Sequence, residues 1–311
     1  MSLQLPQPAT GEQFEISRAG ARAVVTELAG CLRLFERDGV QLTETFGDEE
    51  IPPGATGILL APWPNRVAGG QWLLHGRRQQ LDITEPSLGN ASHGLLRNTG
   101  YRPVSRTAAS ILLRAEIFPQ HGYPFRLTHE ASYSIDGDGG LTVTQSLINL
   151  SPEPAPAAFG AHPYLRLGAV DTGELTLTVP GASWLSSDEK LIPTGKVAAE
   201  GPMDLRAGIQ VAGRSINAAF TDLARGSDGR ARSTLTAPDG HSVCLWQDEI
   251  FPYVHVFVTD NFPGRPVAVA LEPMTAPANA LNSGDGLRWL EPGASLSGSW
   301  GIAAAPAPER A

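Results

Sequence analysis

The chain has 311 residues, of which 41% are hydrophobic, and its formal net charge is −9 at pH 7. This hydrophobic content fills a sizeable core and excludes an intrinsically disordered chain. The acidic balance argues against nucleic acid or a membrane surface as the main partner, because polyanions repel an acidic protein.

The chain begins with MSLQLPQPATGEQFEI, which has neither the basic start nor the apolar run of a secretory signal. No apolar stretch approaches the about 20 residues that span a bilayer. We therefore expect a soluble, cytoplasmic protein. Cys31 and Cys244 have no metal-type spacing, which indicates two reduced core thiols; a single long-range disulfide in a secreted protein is the alternative.

The 34 glycines and 26 prolines disfavour a helical bundle. From Leu127 to Ile135 apolar side chains alternate with polar ones, and this period of two predicts a half-buried strand. A glycine-rich turn and a second β-rich run predict a hairpin, and a similar pair of strands flanks Asp239-Gly240. The predicted strands are 111–118, 127–135, 141–150, 174–179, 233–237, 242–246, 253–259, 267–272 and 295–302.

Short strands with frequent turns, and without alternating helices, predict an all-β antiparallel sandwich. We find no internal repeat and no long linker, so residues 1–311 are expected to form a single domain. Residues 303–311 are rich in alanine and proline and are expected to form a frayed tail.

Four segments place polar or ionisable side chains beside proline, glycine and aromatic residues. They are 61–67, 90–95, 159–164 and 271–280. The sequence has no dinucleotide fingerprint, P-loop, zinc-protease motif or nucleophile elbow. Nucleotide enzymes, zinc enzymes and nucleophilic hydrolases therefore have no direct support.

Glu272 ends a predicted strand whose two faces differ. The bulky face carries Val267, Val269 and Leu271, and the small face carries Ala268, Ala270 and Glu272. The small face leaves room for a ligand, and Pro273 is expected to stop the strand. A carboxylate there would be partly desolvated, which raises its pKa toward the range of a general base. A salt-bridged carboxylate at a strand end is the alternative.

Two histidines lie in bent loops rather than in strands. His162 stands between Gly160 and Pro163, and His93 precedes a glycine. Histidine titrates near neutral pH and can donate a proton, although either ring could simply bond a neighbouring carbonyl. Arg66 closes a proline-rich turn, where its fork can hold two hydroxyls or a carboxylate, or can support the turn.

The aromatic and remaining histidine residues are less informative. Trp63, Tyr164 and Trp246 can stack on a sugar face or fill the core. His129 falls on the apolar face of its strand and is expected in the core. His255 shares a face with Tyr253 and Phe257, and its role stays open.

Together these segments resemble the aldose 1-epimerase (galactose mutarotase) family. The similar pieces, in chain order, are Pro62-Trp63-Pro64-Asn65-Arg66, Ser92-His93-Gly94-Leu95, Gly160-Ala161-His162-Pro163-Tyr164, Trp246 with Phe251-Pro252-Tyr253, Glu272-Pro273 through Asn279-Ala280, and Gly286-Leu287 with Leu290-Glu291-Pro292-Gly293. The resemblance implies an antiparallel β supersandwich with the sugar in a cleft on one sheet.

The resemblance also implies site roles. It makes His162 the general acid and Glu272 the general base, with Arg66 and His93 binding the sugar. The other residues expected to bind substrate are Asn65, Asn217 and Trp246. Asn217 departs from the pattern, because many members of the family carry an aspartate there. An asparagine brings no charge, so it affects the specificity for hydroxyl groups.

The implied reaction moves one proton from the C1 hydroxyl and delivers one to the ring oxygen, which needs no metal or redox cofactor. Glu272 must be ionised while His162 is protonated, so we expect a bell-shaped pH profile. The partner is a small aldose, and the protein is a monomer or homodimer. One alternative is a hexose-6-phosphate 1-epimerase, with a phosphate pocket formed by Arg97, Arg102 and Arg106. The other is a non-catalytic sugar-binding module.

Overall fold

The computed structural model describes residues 7–305 and consists almost entirely of short β-strands. Expectations for residues 1–6 and 306–311 lie outside the described part. In chain order the strands are β1 (Gln13–Arg18), β2 (Ala21–Thr26), β3 (Leu32–Arg37), β4 (Val40–Gln41), β5 (Leu59–Leu60), β6 (Arg66–Val67), β7 (Gln71–Leu74), β8 (Arg77–Gln80), β9 (Ala91–Ser92), β10 (Arg102–Arg106), β11 (Ser110–Ile117), β12 (Leu127–Ile135), β13 (Leu141–Asn149), β14 (Ala155–Ala157), β15 (Gly160–Ala161), β16 (Tyr164–Leu165), β17 (Thr176–Thr178), β18 (Gly181–Ser187), β19 (Pro193–Ala198), β20 (Ile209–Gln210), β21 (Ile216–Leu223), β22 (Ala231–Thr236), β23 (Ser242–Gln247), β24 (Tyr253–Thr259), β25 (Ala268–Met274), β26 (Arg288–Leu290) and β27 (Ser295–Ala305).

Helical structure is confined to short turns. One α-helical turn, α1, covers Ala280–Ser283, and the 3₁₀ turns are Pro53–Ala55, Ala68–Gly70, Thr172–Glu174 and Gly201–Met203. Within residues 7–305, none of these helices is long and apolar enough to cross a bilayer.

Two large antiparallel sheets form the sandwich. The nine-stranded sheet has the order β10-β11-β12-β13-β27-β23-β22-β17-β20, and the eight-stranded sheet has the order β19-β18-β21-β24-β25-β15-β5, with β16 also paired to β25. The main hydrophobic cluster takes side chains from both, such as Val243 and Leu245 from one and Val256 and Leu271 from the other. The all-β antiparallel sandwich predicted from the sequence is confirmed.

The predicted hairpins occur where the alternation placed them. β12 and β13 pair from Leu127 opposite Asn149 to Ile135 opposite Leu141, and β22 pairs with β23. The strand predicted at 174–179 is shorter, because Asp171 accepts a hydrogen bond from the Gly173 amide and closes a 3₁₀ turn first.

The expectation of a frayed tail is wrong for residues 303–305. They continue β27, where Ala303 lies opposite Cys244. The two cysteines themselves lie apart, and both thiols are free. The Cys31 thiol donates to the Thr56 carbonyl at 3.0 Å in a small separate cluster of the core.

The expectation that Pro273 ends its strand is also wrong, because β25 continues to Met274. The Leu271 and Thr275 amides donate to Pro163 and Phe159 on one side of this strand. Amides at every second residue point the same way. The missing amide of Pro273 therefore faces the gap between β16 and β15, where the sheet loses no ladder bond.

Candidate active site

One face of the eight-stranded sheet forms the floor of a polar cavity. β21, β24 and β25 lie side by side, with Asn217 opposite Phe257 and His255 opposite Glu272. Side chains opposite one another in a ladder share a face of the sheet. All four line a cavity of about 360 Å³.

The bulky face of β25 packs as the sequence predicted, but the room expected for a ligand above Ala268 and Ala270 is taken by Tyr164. Val269 and Leu271 pack in the main core, whereas Ala268 and Ala270 pack against Tyr164. The small side chains leave space for that aromatic ring above the sheet. Tyr164 in turn stacks on the ring of His162, which is described next.

His162 is fixed by its backbone and by its ring. Its amide donates to Ile58 at 3.0 Å, and its carbonyl accepts from Gly57 at 2.8 Å. Its imidazole stacks on Tyr164, with the ring centroids 5.3 Å apart. Its Nε2 lies 3.4 Å from Glu272 Oε1, so residues 110 positions apart meet at the cavity wall.

Both side chains of this pair are buried, 6% exposed for His162 and 2% for Glu272. Within residues 7–305, His162 Nδ1 and Glu272 Oε2 have no hydrogen-bond partner. A buried polar atom without a partner costs about 1–3 kcal/mol. The two atoms therefore keep unused hydrogen-bonding capacity in residues that line the cavity.

Burial moves the two pKa values apart. It raises the pKa of Glu272 to about 8, against a weaker opposing effect of Arg66. Burial, with a smaller effect of the positive charge of Arg66, lowers the pKa of His162 to about 3. At neutral pH the free protein thus holds one proton on the carboxyl and a neutral imidazole. This differs from the expected ion pair in the position of the proton, because desolvation disfavours both charges.

His93 stands over the pair because of two unusual backbone conformations. Asn65 and His93 both have positive φ angles, 56° and 67°, and the His93 amide donates to the Asn65 carbonyl at 2.8 Å. The following Gly94, at φ 71°, passes so close that a Cβ would lie 2.0 Å from the Ala61 carbonyl oxygen. The His93 ring then meets His162 edge-on, with centroids 5.3 Å apart.

Arg66 lines the cavity, but its fork is already occupied. Its Nε and Nη2 donate to the two carboxylate oxygens of Glu85 at 2.8 Å each. Its Nη1 donates to Asn65 Oδ1 at 3.2 Å. Sequence reasoning missed Glu85, since it lies in no motif and reaches Arg66 only through the pairing of β6 with β9.

His255 links two predicted site residues. Its Nε2 donates to Asn217 Oδ1 at 2.8 Å, and Asn65 Nδ2 lies 3.5 Å from its Nδ1. An amide oxygen only accepts, so this contact fixes the tautomer with the proton on Nε2. Burial lowers the pKa of His255 to about 3, which keeps the ring neutral. The face shared with Phe257 was the one sequence signal for this residue.

The structure brings together six of the seven predicted site residues: His162, Glu272, Arg66, His93, Asn65 and Asn217. The expectation for Trp246 is wrong. It lies on β23 in the nine-stranded sheet, opposite Gly301, with the Arg230 guanidinium 3.8 Å from its ring centre. Its side chain is needed there to cover the sheet.

The predicted arginine cluster does not form. Arg97 lines the cavity, whereas Arg102 and Arg106 lie on β10, an exposed edge strand, where Arg106 donates to the Glu15 carbonyl. The core prediction for His129 holds, because the residue is fully buried and its Nδ1 lies 2.7 Å from the Tyr101 hydroxyl. Of the two alternatives for Trp63, the structure shows the core. Trp63 packs on Tyr123 in the core.

The sandwich, with its polar cavity on one sheet, places this protein among galactose mutarotase-like β-sandwich proteins. A putative aldose 1-epimerase of Escherichia coli K12 (b2544) superposes with a TM-score of 0.80 at 20% identity, covering 94% of this chain and 99% of that one. The aldose epimerase homologue of C. elegans gives a TM-score of 0.83 at 15% identity, over 96% and 99% of the chains.

Sequence comparison specifies the family. The aldose 1-epimerase family model matches residues 12–302, so the chain belongs to this family. It is 30% identical over 286 residues to the uncharacterized Escherichia coli protein YihR, covering 91% of this chain and 90% of YihR. It is also 30% identical over 151 residues to the galactose mutarotase of Rattus norvegicus, covering 46% and 42% of the two chains.

Proposed function

We propose that the protein is an aldose 1-epimerase that interconverts the α and β anomers of a hexose. The observation that carries this proposal is the buried pair of His162 and Glu272, 3.4 Å apart on the wall of a polar cavity. The hydroxyl oxygen and the ring oxygen of an anomeric centre share one carbon. An acid and a base side by side can therefore reach both oxygens at once.

The pair enters the reaction with a single proton. In the free protein that proton rests on Glu272, because burial disfavours the ion pair. A C1 hydroxyl that donates to Glu272 and a ring oxygen that accepts from His162 stabilise the ionised pair, so the bound sugar moves the proton to His162. The ionised base and protonated acid then exist in the bound state.

The chemical step follows from this arrangement. Glu272 removes the C1 hydroxyl proton while His162 protonates the ring oxygen, and the C1–O5 bond breaks to give the open aldehyde. Rotation about C1–C2 presents the other face of the carbonyl. The reverse proton transfers close the ring and return the pair to its starting state. Each placed acid or base contributes about 10²–10⁴-fold.

The remaining cavity residues hold the sugar. His93 lies edge-on to His162, and Arg66 is oriented by Glu85. Asn217 accepts from His255 through its oxygen, so its NH₂ group is the side that donates to the sugar. An aspartate could only accept hydrogen bonds at this position. The asparagine therefore favours a sugar oxygen that accepts a hydrogen bond from its NH₂ group.

Polarimetry on fresh α-glucose and α-galactose tests the proposal. The wild-type protein is expected to accelerate the approach to anomeric equilibrium, and Glu272→Gln to abolish most of that acceleration. Tight sugar binding without acceleration by the wild-type protein would instead indicate a non-catalytic binding module. The acid–base pair argues against that module, because binding alone does not need one.

One observation favours a second candidate, an epimerase of an anionic hexose such as a hexose 6-phosphate. Arg97 lines the cavity, and within residues 7–305 it makes no ion pair. An arginine fork there suits a phosphate. Turnover of glucose and of glucose 6-phosphate by the wild type and Arg97→Gln distinguishes the candidates. A cytoplasmic location is part of either proposal.

A further inference from the structure

A buried group of three charged residues, the Glu44 cluster, lies next to the strand that carries Tyr164. Glu44 is 1% exposed, and its Oε2 accepts from Arg265 Nε at 2.9 Å and from Arg166 Nη1 at 3.5 Å. The three residues lie outside the lining of the polar cavity. They also lie outside every sequence motif that resembles the family. Their function is therefore not explained by direct contact with a sugar.

The backbone of Glu44 is joined to the backbone of Tyr164. The Glu44 amide donates to the Tyr164 carbonyl at 2.9 Å, and Thr43 forms an antiparallel bridge with Leu165. The Tyr164 hydroxyl makes a long hydrogen bond, 3.3 Å to the Gly54 carbonyl, and such a bond is weak. The position of the Tyr164 ring therefore depends on this backbone pairing and on the side chains that pack against the ring.

Arg265 connects Glu44 to one of those packing side chains. It lies in the loop between β24 and β25, where its amide donates to the Phe262 carbonyl at 3.1 Å. Phe262 is 6% exposed and packs on Tyr164, with the ring centroids 4.9 Å apart. The bond from Arg265 to Glu44 thus holds this loop, and with it the Phe262 ring, against Tyr164.

The Tyr164 ring in turn supports the imidazole of His162. The two rings stack at an interplanar angle of 24°, with the centroids 5.3 Å apart. In acid–base sites a histidine is commonly oriented by a hydrogen bond to its second ring nitrogen. Within residues 7–305, His162 Nδ1 has no such partner. The plane of this imidazole is therefore set by packing, and Tyr164 supplies the stacked face.

The Glu44 cluster is poorly suited to stabilising the fold alone. Within residues 7–305, Glu44 Oε1 and Arg166 Nε are buried without a hydrogen-bond partner, and such atoms destabilise a fold. Apolar residues of similar volume often stabilise a core as well as a buried ion pair does. The cluster supplies a defined geometry instead, because charged hydrogen bonds fix where the loop and the strand lie.

We propose that Glu44 is a positioning residue for proton transfer, which fixes the plane of the His162 imidazole beside Glu272 by holding Tyr164 from two sides of the chain. This inference rests on the proposed function. A hydrogen bond weakens steeply as its angle departs from linearity, and a misplacement of about 1 Å can cost about 10²-fold in rate. A shift of the Tyr164 ring therefore slows proton transfer, whereas the residues that hold the sugar stay in place.

Steady-state rates of glucose mutarotation give the first test. Glu44→Gln keeps the shape and removes the charge, and Arg265→Ala removes the shorter of the two charged bonds. Both variants are expected to lower kcat about ten- to a hundredfold, with KM changed less than about twofold. Arg265→Lys restores the charge and should recover part of kcat. Val243→Ala, in the core of the nine-stranded sheet, is the matched control for a general loss of stability.

Proton NMR of the histidine side chains gives a second test that needs no turnover. The Hε1 signal of His162, assigned by its loss in His162→Ala, is shifted by the ring current of the stacked Tyr164. Glu44→Gln and Arg265→Ala should move this signal, and Val243→Ala should leave it in place. Since the Arg265 side chain is 34% exposed, its truncation keeps the test available if Glu44→Gln does not fold.

The outcomes separate this inference from the proposed function. An unmoved His162 signal, a rise of KM instead of a fall of kcat, or a fall of kcat no larger than in Val243→Ala overturns the inference. In each of these cases an active wild-type protein leaves the proposed function intact. If the wild type does not accelerate mutarotation, the proposed function fails, and the NMR signal decides by itself whether Glu44 positions the His162 ring.

Discussion

The two large sheets each bury a histidine, and the two are used differently. His129 in the nine-stranded sheet has its Nδ1 2.7 Å from the Tyr101 hydroxyl, and Gln145 supplies a second hydrogen bond. His162 beside the eight-stranded sheet lines a cavity, and its Nδ1 has no hydrogen-bond partner among residues 7–305. Burial lowers the pKa of both to about 3. Both histidines therefore have the same shift in pKa, and the unused hydrogen-bonding capacity next to a cavity distinguishes the one that we propose to be functional.

The largest effect is expected from removing the base. Glu272→Gln should reduce the acceleration of mutarotation by about 10²–10⁴-fold, because the amide cannot take a proton. The fold should survive, since the glutamine is neutral like the buried carboxyl it replaces. Polarimetry and thermal unfolding measure the two effects. Glu249→Gln, on an exposed turn, is the control. Equal rates for the two variants would contradict the assignment of Glu272 as the base.

Replacing each histidine in turn tests the comparison directly. His129→Ala should lower the free energy of unfolding by about 2–4 kcal/mol, since it leaves a cavity and an unpaired Tyr101 hydroxyl. It should leave kcat of the folded protein unchanged. His162→Ala should lower kcat for mutarotation while the free energy of unfolding changes little. Urea unfolding and polarimetry on both variants check this, and the same pattern from both would break the distinction.

The pH dependence of rate and of stability distinguishes the His162–Glu272 pair from the rest of the core. The pair keeps its single proton between about 3 and about 8, so kcat/KM should be level near neutrality and fall as the pH rises through 8. The raised pKa of Glu272 makes the folded state bind the proton more tightly, so its contribution to stability is lost as pH rises from about 4.5 to 8. Rates and unfolding from pH 5 to 9 measure both. A stability slope that survives in Glu272→Gln would contradict this origin.

A smaller effect is expected from the support of Arg66. Glu85→Gln removes one charged bond of the fork, so KM should rise several-fold, to about tenfold, while kcat changes little. Glu130→Gln is the matched control, because it breaks an arginine–glutamate pair in the nine-stranded sheet, with Arg114. An equal change of KM in the two variants would show that the position of Arg66 does not matter.

The smallest effect on KM is expected at Trp246, which the sequence predicted at the substrate site and the structure places elsewhere. Trp246→Phe should change KM for any aldose by less than about twofold, because the ring lies in the other sheet against Arg230. Steady-state rates with glucose and galactose measure it. A large rise of KM with an unchanged fold would return Trp246 to the substrate site.

Sequence patterns predicted the residues of the cavity where the signal lies within a short segment. The order of motifs picked out His162 and Glu272, which the structure brings to 3.4 Å from each other. The alternation of small and bulky residues in β25 predicted room above Ala270, which Tyr164 fills. The period of two also found the hairpins. These signals are local, so they survive without knowledge of the tertiary fold.

The sequence did not predict the contacts that depend on strand register. Glu85 meets Arg66 only because β6 pairs with β9, and His255 meets Asn217 only because β21 pairs with β24. Arg97 lies apart from Arg102 and Arg106, because those two residues belong to an edge strand. Pairing between strands that are distant in the sequence depends on the packing of the whole core. It therefore cannot be predicted from patterns in a single sequence.

The left-handed backbone at Asn65 and His93 has a consequence for engineering. Asparagine tolerates this conformation well, and histidine less so, whereas glycine adopts it freely. A laboratory selection for heat resistance alone would thus favour His93→Gly, which relaxes the turn and removes the imidazole from the cavity. Variants selected in this way would lose any activity that needs this imidazole, unless the selection also demands turnover.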